Sequence, residues 1–278
     1  MLKDGFLHIT MIYDNEPVVN CIREFIEKKR EEKTIVNKII GEDVFFILES
    51  ESILLYYPLE NDKIKGIHAE KVVHNELKQF VFINSDKETD NQTWTAAHEL
   101  GHVWKVDAYV FSKIPGCTVS SEDIVNRFAA ELLLPINEFC NEYVQCMRRM
   151  CLGSSLNKKE FMEVIAYLMN TFCAPYKAVI KRFVELGIVE KQFEEPYIEA
   201  FHNNRDLYEQ IIAENYYSRL GKKRESISMA SIGKDIDLLE KNGLLPEKLI
   251  KKYRDMFSIR KETYSNETFI VGGGDGEE

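Results

Sequence analysis

Two histidines and a glutamate in the segment Ala96–His102 have the types and the spacing of a metal-dependent hydrolase site. The segment reads Ala-Ala-His-Glu-Leu-Gly-His, so that His98 and His102 are one helical repeat apart and Glu99 follows the first histidine. Four residues of α-helix turn the chain by about 400°, which places the two imidazoles about 40° apart on one face. Their Nε2 atoms can then bind one cation, and Glu99 lies on the same side, close enough to reach a water molecule there.

This arrangement suits the hydrolysis of a peptide bond. Zn²⁺ lowers the pKa of a coordinated water to about 7, and a carboxylate can take the proton as the water attacks a carbonyl carbon. We therefore predict His98 and His102 as metal ligands, Glu99 as the general base, and one Zn²⁺ per chain. The alternative, two helix histidines that bind no metal, is disfavoured because small residues surround the pair and apolar residues supply a buried side.

The third ligand of such a site has to come from outside this segment. A catalytic zinc needs three protein ligands and an open position, and the metzincin extension is absent because Lys105 and Ala108 stand where it has glycine and histidine. A carboxylate on or near the next helix is the natural source, and four are within reach: Asp107, Glu122, Asp123 and Glu131. Glu122 and Glu131 lie about 180° apart around a helix, so they cannot both face the site. The residues alone leave Glu122 open between a ligand and an ordinary first-turn acid.

Hydrophobic spacing predicts the elements in front of the metal segment. Asp14 or Asn15 can cap a first helix, which the charged stretch 27–33 ends. Between residues 43 and 85, short β-branched and aromatic runs predict strands. These strands are 44–48, 53–57, 64–73 and 80–84, the last two flanking a hairpin turn at 74–76.

The rest of the chain is predicted to be helical. The metal helix should run from Asp90 or Asn91 to about Lys105, and a second helix from 121 to 134, stopped by Pro135. Amphipathic stripes then predict helices over 161–169, 176–184 and 249–257. The first two of these, with their short link, could form a helix-turn-helix at 158–187. Its basic residues are offset by glutamates, so a helical support or a surface for a protein substrate is favoured over direct nucleic-acid binding.

Composition limits the classes of function. The chain has 278 residues, 45% of them hydrophobic, which is enough for one large core or two modest ones. A net charge of −10 disfavours a sequence-independent grip on nucleic acid and is compatible with a basic protein partner. No apolar run could span a bilayer and no signal peptide is visible, so we expect a soluble, cytoplasmic protein whose six cysteines are reduced.

Two motifs together resemble the ImmA/IrrE family of metallo-endopeptidases. The family pairs an HELGH helix with a helix of the form E-x-x-x-N-x-F-A-A-x-L-L-M-P, and this chain has HELGH at 98–102 and a matching run at 122–135. The match departs at Leu134, where methionine is usual, and at Trp94, where phenylalanine is usual. The similarity is strong over 64–135 and weaker over 156–190. It implies that Glu122, the first residue of the second pattern, is the third zinc ligand.

The resemblance also implies a fold and a role. It implies a zincin-like (gluzincin-like) metallopeptidase domain, which with the predicted strands and metal helix gives an α+β class with a small mixed sheet at 1–150. The amphipathic stripes predict a mainly α-helical region at 151–270, and the acidic, glycine-rich tail 271–278 should be disordered. Substrate would lie extended along an edge strand, for which 80–84 is the candidate. Known members cleave or otherwise inactivate a DNA-binding repressor, which releases mobile-element, prophage or stress genes. A helix-turn-helix repressor is therefore the expected partner.

Two questions stay open at this point. The donor that would stabilise the tetrahedral oxyanion could be Tyr109, Tyr143 or His74, and the sequence does not choose among them. The remaining histidines are predicted to be surface or satisfied residues rather than ligands: His8, His68, His74 and His202. The alternative function is a regulatory module that keeps the protease fold but sequesters a repressor or antitoxin without cleavage. The intact Glu99 argues against it, because a non-hydrolytic zinc site needs no such base.

Overall fold

The computed structural model describes residues 15–60, 63–73, 75–153, 155–217, 219–223, 228–229 and 232–257. The chain forms two compact units, Met1–Ala230 and Ser231–Glu278. The predicted division into 1–150 and 151–270 stays a prediction, and the predicted disordered tail 271–278 lies outside the described residues. Among the described helices, none combines the length and the apolar composition that crossing a bilayer requires.

The first unit combines helices with one small sheet. Its described α-helices are α1 (Glu16–Glu32), α2 (Asp43–Glu51), α3 (Thr89–Trp104), α4 (Val106–Lys113), α5 (Ser121–Leu133), α6 (Ile136–Arg149), α7 (Lys158–Phe172), α8 (Tyr176–Glu185), α9 (Glu194–His202) and α10 (Arg205–Glu214). A 3₁₀ turn, Lys191–Phe193, precedes α9. The strands are β1 (Ile53–Tyr57), β2 (Gly66–Val73), β3 (Glu76–Asn84) and β4 (Ser228–Met229). The predicted α+β, zincin-like class with a helical C-terminal region is confirmed.

The sheet has the strand order β2-β3-β1-β4. β3 runs parallel to β1, with Ile53 opposite Phe80, and antiparallel to β2, with Val73 opposite Glu76. The prediction that 80–84 is the edge strand is therefore wrong, because both sides of β3 are already paired. Among the described strands, β2 pairs with β3 alone, so β2 is the edge strand on that side of the sheet.

The segment 44–48 was predicted as a strand and is instead part of helix α2. Val44, Phe45, Ile47 and Leu48 are buried, whereas Phe46 is 77% exposed. Buried positions at this spacing form one helical face rather than the alternating face of a strand. A short apolar run does not distinguish the two structures by its hydrophobicity alone, which explains the error.

The other predicted elements are confirmed with small changes of boundary. β1 and the β2–β3 hairpin lie where the sequence placed them, and Asn75 has a φ of 63° in the turn. α1 continues through the charged stretch to Glu32, where an ion pair of 2.9 Å joins Lys29 to Glu32. The two helices of the candidate helix-turn-helix, α7 and α8, both form. Six of the ten residues between Tyr176 and Glu185 are buried apolar residues, so most of α8 packs in the core.

The second unit contains, in its described part, helices α11 (Ile232–Lys241) and α12 (Glu247–Met256). Ile236 and Ile250 are buried. Arg254 donates to Asp237 at 2.5 Å and to Glu240 at 2.7 Å, so the two helices are joined by charge as well as by apolar contact.

Candidate metal centre

Helix α3 presents the two histidines from a rigid, mostly buried support. Ala96, Ala97 and Leu100 are fully buried and anchor the inner face of the helix. The helix ends at Trp104, and the C-cap Lys105 adopts the left-handed conformation with a φ of 57° and donates its N–H to the carbonyl oxygens of Gly101 and His102. His98 and His102 lie on the opposite, partly exposed face, as their spacing predicts.

A close crossing between α3 and α5 brings the third residue to the histidines. A Cβ added at Gly101 would lie 2.9 Å from Val125 Cγ1 and 3.0 Å from Phe128 Cδ1, so any side chain at Gly101 would push the helices apart. α5 begins at a Ser120 cap, whose hydroxyl accepts the Asp123 N–H at 3.1 Å. The buried face of α5 fixes its rotation, and Glu122 in the first turn then points at α3.

The three candidate ligands lie close together, with one ligand atom of each within 4.8 Å of the others. The Nε2 atoms of His98 and His102 are 3.2 Å apart, His98 Nε2 lies 3.4 Å from Glu122 Oε2, and His102 Nε2 lies 3.5 Å from Glu122 Oε1. A tetrahedral centre with ligand bonds of about 2.0–2.1 Å separates its ligand atoms by about 3.3 Å. The donor set and the spacing therefore fit a divalent cation of that size. Glu122 is 67% exposed, so the side facing solvent leaves room for an open coordination position.

A hydrogen bond orients the first histidine. His98 Nδ1 lies 3.0 Å from Asn126 Oδ1. An amide oxygen only accepts, so Nδ1 carries the proton and Nε2 keeps its lone pair for a metal. Asn126 follows Glu122 by one turn of α5, so the same helix supplies a ligand and the group that orients another ligand. Asn126 is not among the predicted site residues, although its spacing from Glu122 places both on one helix face.

The second histidine packs against the edge strand. The rings of His102 and His68 are stacked, with centroids 5.9 Å apart and planes 3° apart. Gln79 Nε2 donates to Glu70 Oε1 at 2.9 Å, so its Oε1 accepts from His68 Nε2 at 2.5 Å. His68 therefore has a hydrogen-bond partner, it lies outside the described ligand cluster, and its ring forms a wall of the site. The alternation of side chains along β2 would have predicted the position of His68 at the site, had the pairing of β2 with β3 been known.

Glu99 lies beside the cluster and is only 6% exposed. Burial, and then the nearby negative charge of Glu122, raise the pKa of Glu99 to about 7. Burial and the neighbouring His98 lower the pKa of His102, which favours the neutral imidazole that a metal needs. A carboxylate with a pKa near neutrality can both accept and return a proton.

The other three carboxylates considered as ligands are engaged elsewhere. Asp107 accepts from the Ser121 hydroxyl at 2.5 Å, and Asp123 accepts from Ser120 at 2.7 Å. Glu131 is buried and accepts from Arg23 at 2.8 Å and from Arg182 at 3.1 Å. Of the four carboxylates, only Glu122 belongs to the described cluster of possible metal ligands.

Two of the candidate oxyanion donors are committed to other contacts. Tyr109 donates its hydroxyl to Glu24 at 3.1 Å, and the Tyr143 ring packs 5.4 Å from that of Phe183. His74 and His8 lie outside the described residues, and His202 is exposed. Among the described contacts, none joins Tyr109 or Tyr143 to the three candidate ligands.

A cleft of about 870 Å³ begins next to the cluster. Its lining includes Asn126, which bonds the His98 ring, and Trp94, which precedes His98 by one turn of α3. The far wall is formed by α8, α9 and α10, so helices from the C-terminal half of the unit enclose the space beside the metal helix. A cleft of this volume is within the range of ligand-binding sites in proteins.

Comparison with known families supports the assignment of this region as a metal-dependent site. The model of the IrrE N-terminal-like domain, peptidase family M78, matches residues 52–183. The match begins just before β1 and ends within α8, and it includes α3, α5 and every candidate ligand. No curated protein matches the chain. The predicted resemblance is confirmed, because residues 52–183 match the model of the IrrE N-terminal-like domain of the ImmA/IrrE family, and this match supports a metallopeptidase-type function.

Proposed function

We propose that this protein is a zinc-dependent endopeptidase that cleaves a helix-turn-helix transcriptional repressor and so relieves repression of a mobile-element, prophage or stress operon. The observation that carries the proposal is the cluster of His98, His102 and Glu122, whose ligand atoms lie within 4.8 Å of one another, next to the buried Glu99. Two imidazoles, one carboxylate and an open position suit zinc better than the harder divalent cations, which prefer oxygen ligands.

The chain divides the chemistry among a few residues. A bound zinc ion would supply Lewis-acid activation of a water molecule and of the scissile carbonyl. His98, His102 and Glu122 would hold the ion, and Asn126 keeps the His98 lone pair directed at it. Glu99, which is buried beside the cluster, would take the proton of the attacking water and return it to the leaving amine.

The edge strand β2 is the surface that would bind the substrate backbone. Its outer edge pairs with no described strand, and its face carries His68 beside the metal cluster. An extended peptide that adds to β2 would pass the cluster and continue into the adjoining cleft. This position replaces the strand 80–84, whose hydrogen-bonding groups are used within the sheet.

A repressor as substrate rests on the family resemblance and on charge. The chain carries a net charge of −10, which favours encounter with a basic, DNA-binding protein. The second candidate, a module that sequesters a repressor without cleaving it, needs the same surface but no general base. The burial of Glu99 beside the cluster favours hydrolysis.

The test is the Glu99→Gln variant, incubated with a panel of purified helix-turn-helix repressors and compared with wild type by mass spectrometry. We expect a defined cut by the zinc-loaded wild type and a loss of about 10²–10⁴-fold in rate for Glu99→Gln, with zinc retained. Undiminished cleavage by the variant would contradict the mechanism. A repressor bound tightly by both proteins and cut by neither would favour sequestration.

A further inference from the structure

Alternate residues of β2 contact successive positions along the metal helix α3. Gly66 lies against Glu99, His68 stacks on His102, and Glu70 pairs with Lys105 Nζ at 3.0 Å. Alternate positions of a strand share one face, so this face of β2 follows the helix from the general base to its C-terminal cap. The first of these contacts involves Gly66, which has no side chain and lies closest to the helix.

The space at Gly66 is filled by the general base. A Cβ added there would lie 2.5 Å from Glu99 Oε1 and 3.1 Å from Glu99 Cδ, and 2.5 Å from Thr95 Cγ2. Separations below 3.0 Å essentially do not occur for real Cβ atoms. The backbone of Gly66 lies outside the left-handed region, so the requirement for glycine comes from the space and not from the conformation.

We propose that Gly66 is a positioning residue for Glu99: the missing side chain lets the edge strand seat the carboxylate beside the metal cluster. This inference rests on the proposed function. Glu99 is held between its own helix and β2 and is 6% exposed, so an added methyl group has to displace the carboxylate or the strand. Either displacement moves the base relative to His98 and His102 without removing a metal ligand. A misplacement of about 1 Å of a reacting group can cost about 10²-fold in rate.

The substitution Gly66→Ala separates this role from metal binding. The zinc-loaded protein would be titrated with acetohydroxamate, whose hydroxyl donates to the general-base carboxylate when its oxygens bind the metal. We expect zinc affinity within about threefold of wild type, acetohydroxamate affinity lower by about tenfold, and kcat lower by about 10²-fold with little change in KM. Gly153→Ala is the control, because a Cβ at Gly153 meets no atom within 4 Å.

The second contact, with Thr95, is a packing contact that has to be separated from the first. In the double variant Gly66→Ala/Thr95→Ser the threonine methyl is gone while the Glu99 clash remains. We expect hydroxamate affinity and kcat to stay low in this variant. Full recovery of both would overturn the proposal and make Gly66 a packing residue against Thr95.

A stability cycle tests the same contact without any turnover. Melting temperatures of wild type, Gly66→Ala, Glu99→Ala and the double variant give the coupling between the two sites. We expect Gly66→Ala to lower the melting temperature less in the Glu99→Ala background, where the clashing carboxylate is absent. Additive shifts would overturn the inference. A wild type that binds zinc and hydroxamate but cuts no repressor would contradict the proposed function while the cycle still decides the role of Gly66.

Discussion

Two glutamates on helix α5 have opposite environments. Glu122, in the first turn, is 67% exposed, and its ion pairs are with two imidazoles. Glu131, near the other end, is 2% exposed and accepts from Arg23, Arg127 and Arg182. The charge of Glu131 is already neutralised by three arginines, whereas Glu122 faces two imidazoles and solvent. One helix therefore carries a structural carboxylate, Glu131, and a carboxylate available to a cation, Glu122. The difference follows from their partners, which are arginines for Glu131 and imidazoles for Glu122.

The largest expected effect that separates the two is on stability. Glu131→Gln leaves three arginines around a neutral, buried amide, and we expect it to lower the free energy of unfolding by about 3–5 kcal/mol. The matched control is Glu122→Gln in metal-free protein, with an expected change within about 0.5 kcal/mol because the site is exposed. Urea unfolding measures both. Equal losses would contradict the distinction.

Acid should reveal the same difference in the wild type. Burial raises the pKa of Glu131, but the charges of Arg182 and Arg127 outweigh it and hold the pKa at about 2, below the ordinary value of 4.5. A carboxylate whose pKa is lower in the folded than in the unfolded state stabilises the fold fully at pH values above its unfolded-state pKa. This stabilisation is lost as the pH falls towards 2.

This contribution amounts to about 3 kcal/mol, lost between about pH 5 and pH 2. Unfolding of the metal-free protein by urea at a series of pH values measures it. Glu131→Gln should show a correspondingly shallower decline than wild type across this window. Parallel pH profiles would show that Glu131 is not the group responsible.

A smaller effect is expected at the exposed end of α5. Asn126→Ala removes the acceptor for His98 Nδ1–H, and we expect zinc affinity to fall about 10–100-fold while the fold is kept. Chelator competition measures the affinity. Asn126→Asp keeps an acceptor and should retain most of it. An unchanged affinity in Asn126→Ala would mean that the His98 ring is oriented by its helix alone.

The metal helix and the direction of its ligands follow from local sequence, because the helical repeat alone places His98 and His102 on one face. Glu122 could not be found in that way, since a first-turn acid looks the same whether it binds metal or stabilises a helix end. The family pattern supplied the choice, and the crossing at Gly101 shows the physical basis for it.

Properties that depend on pairing between distant segments were beyond local reasoning. The sequence of strand 80–84 fits an edge strand and a central strand equally well. Only the pairing of this strand with β1 and β2 shows that it is central. His68 and Gly66 enter the site through the same register. The helix at 44–48 was predicted as a strand because a short apolar run fits a helix and a strand equally well. The burial of this segment in the core favours the helix.

The central claim, that one metal ion is held by two histidines of α3 and Glu122 of α5, is tested most directly by elemental analysis of purified protein. We expect about one zinc per chain in the wild type and a much reduced content in Glu122→Ala. The control Glu138→Ala, on α6 and outside the described ligand cluster, should keep the wild-type content. Wild-type protein that carries no zinc and takes none up on titration, or Glu122→Ala with an undiminished content, would contradict the account.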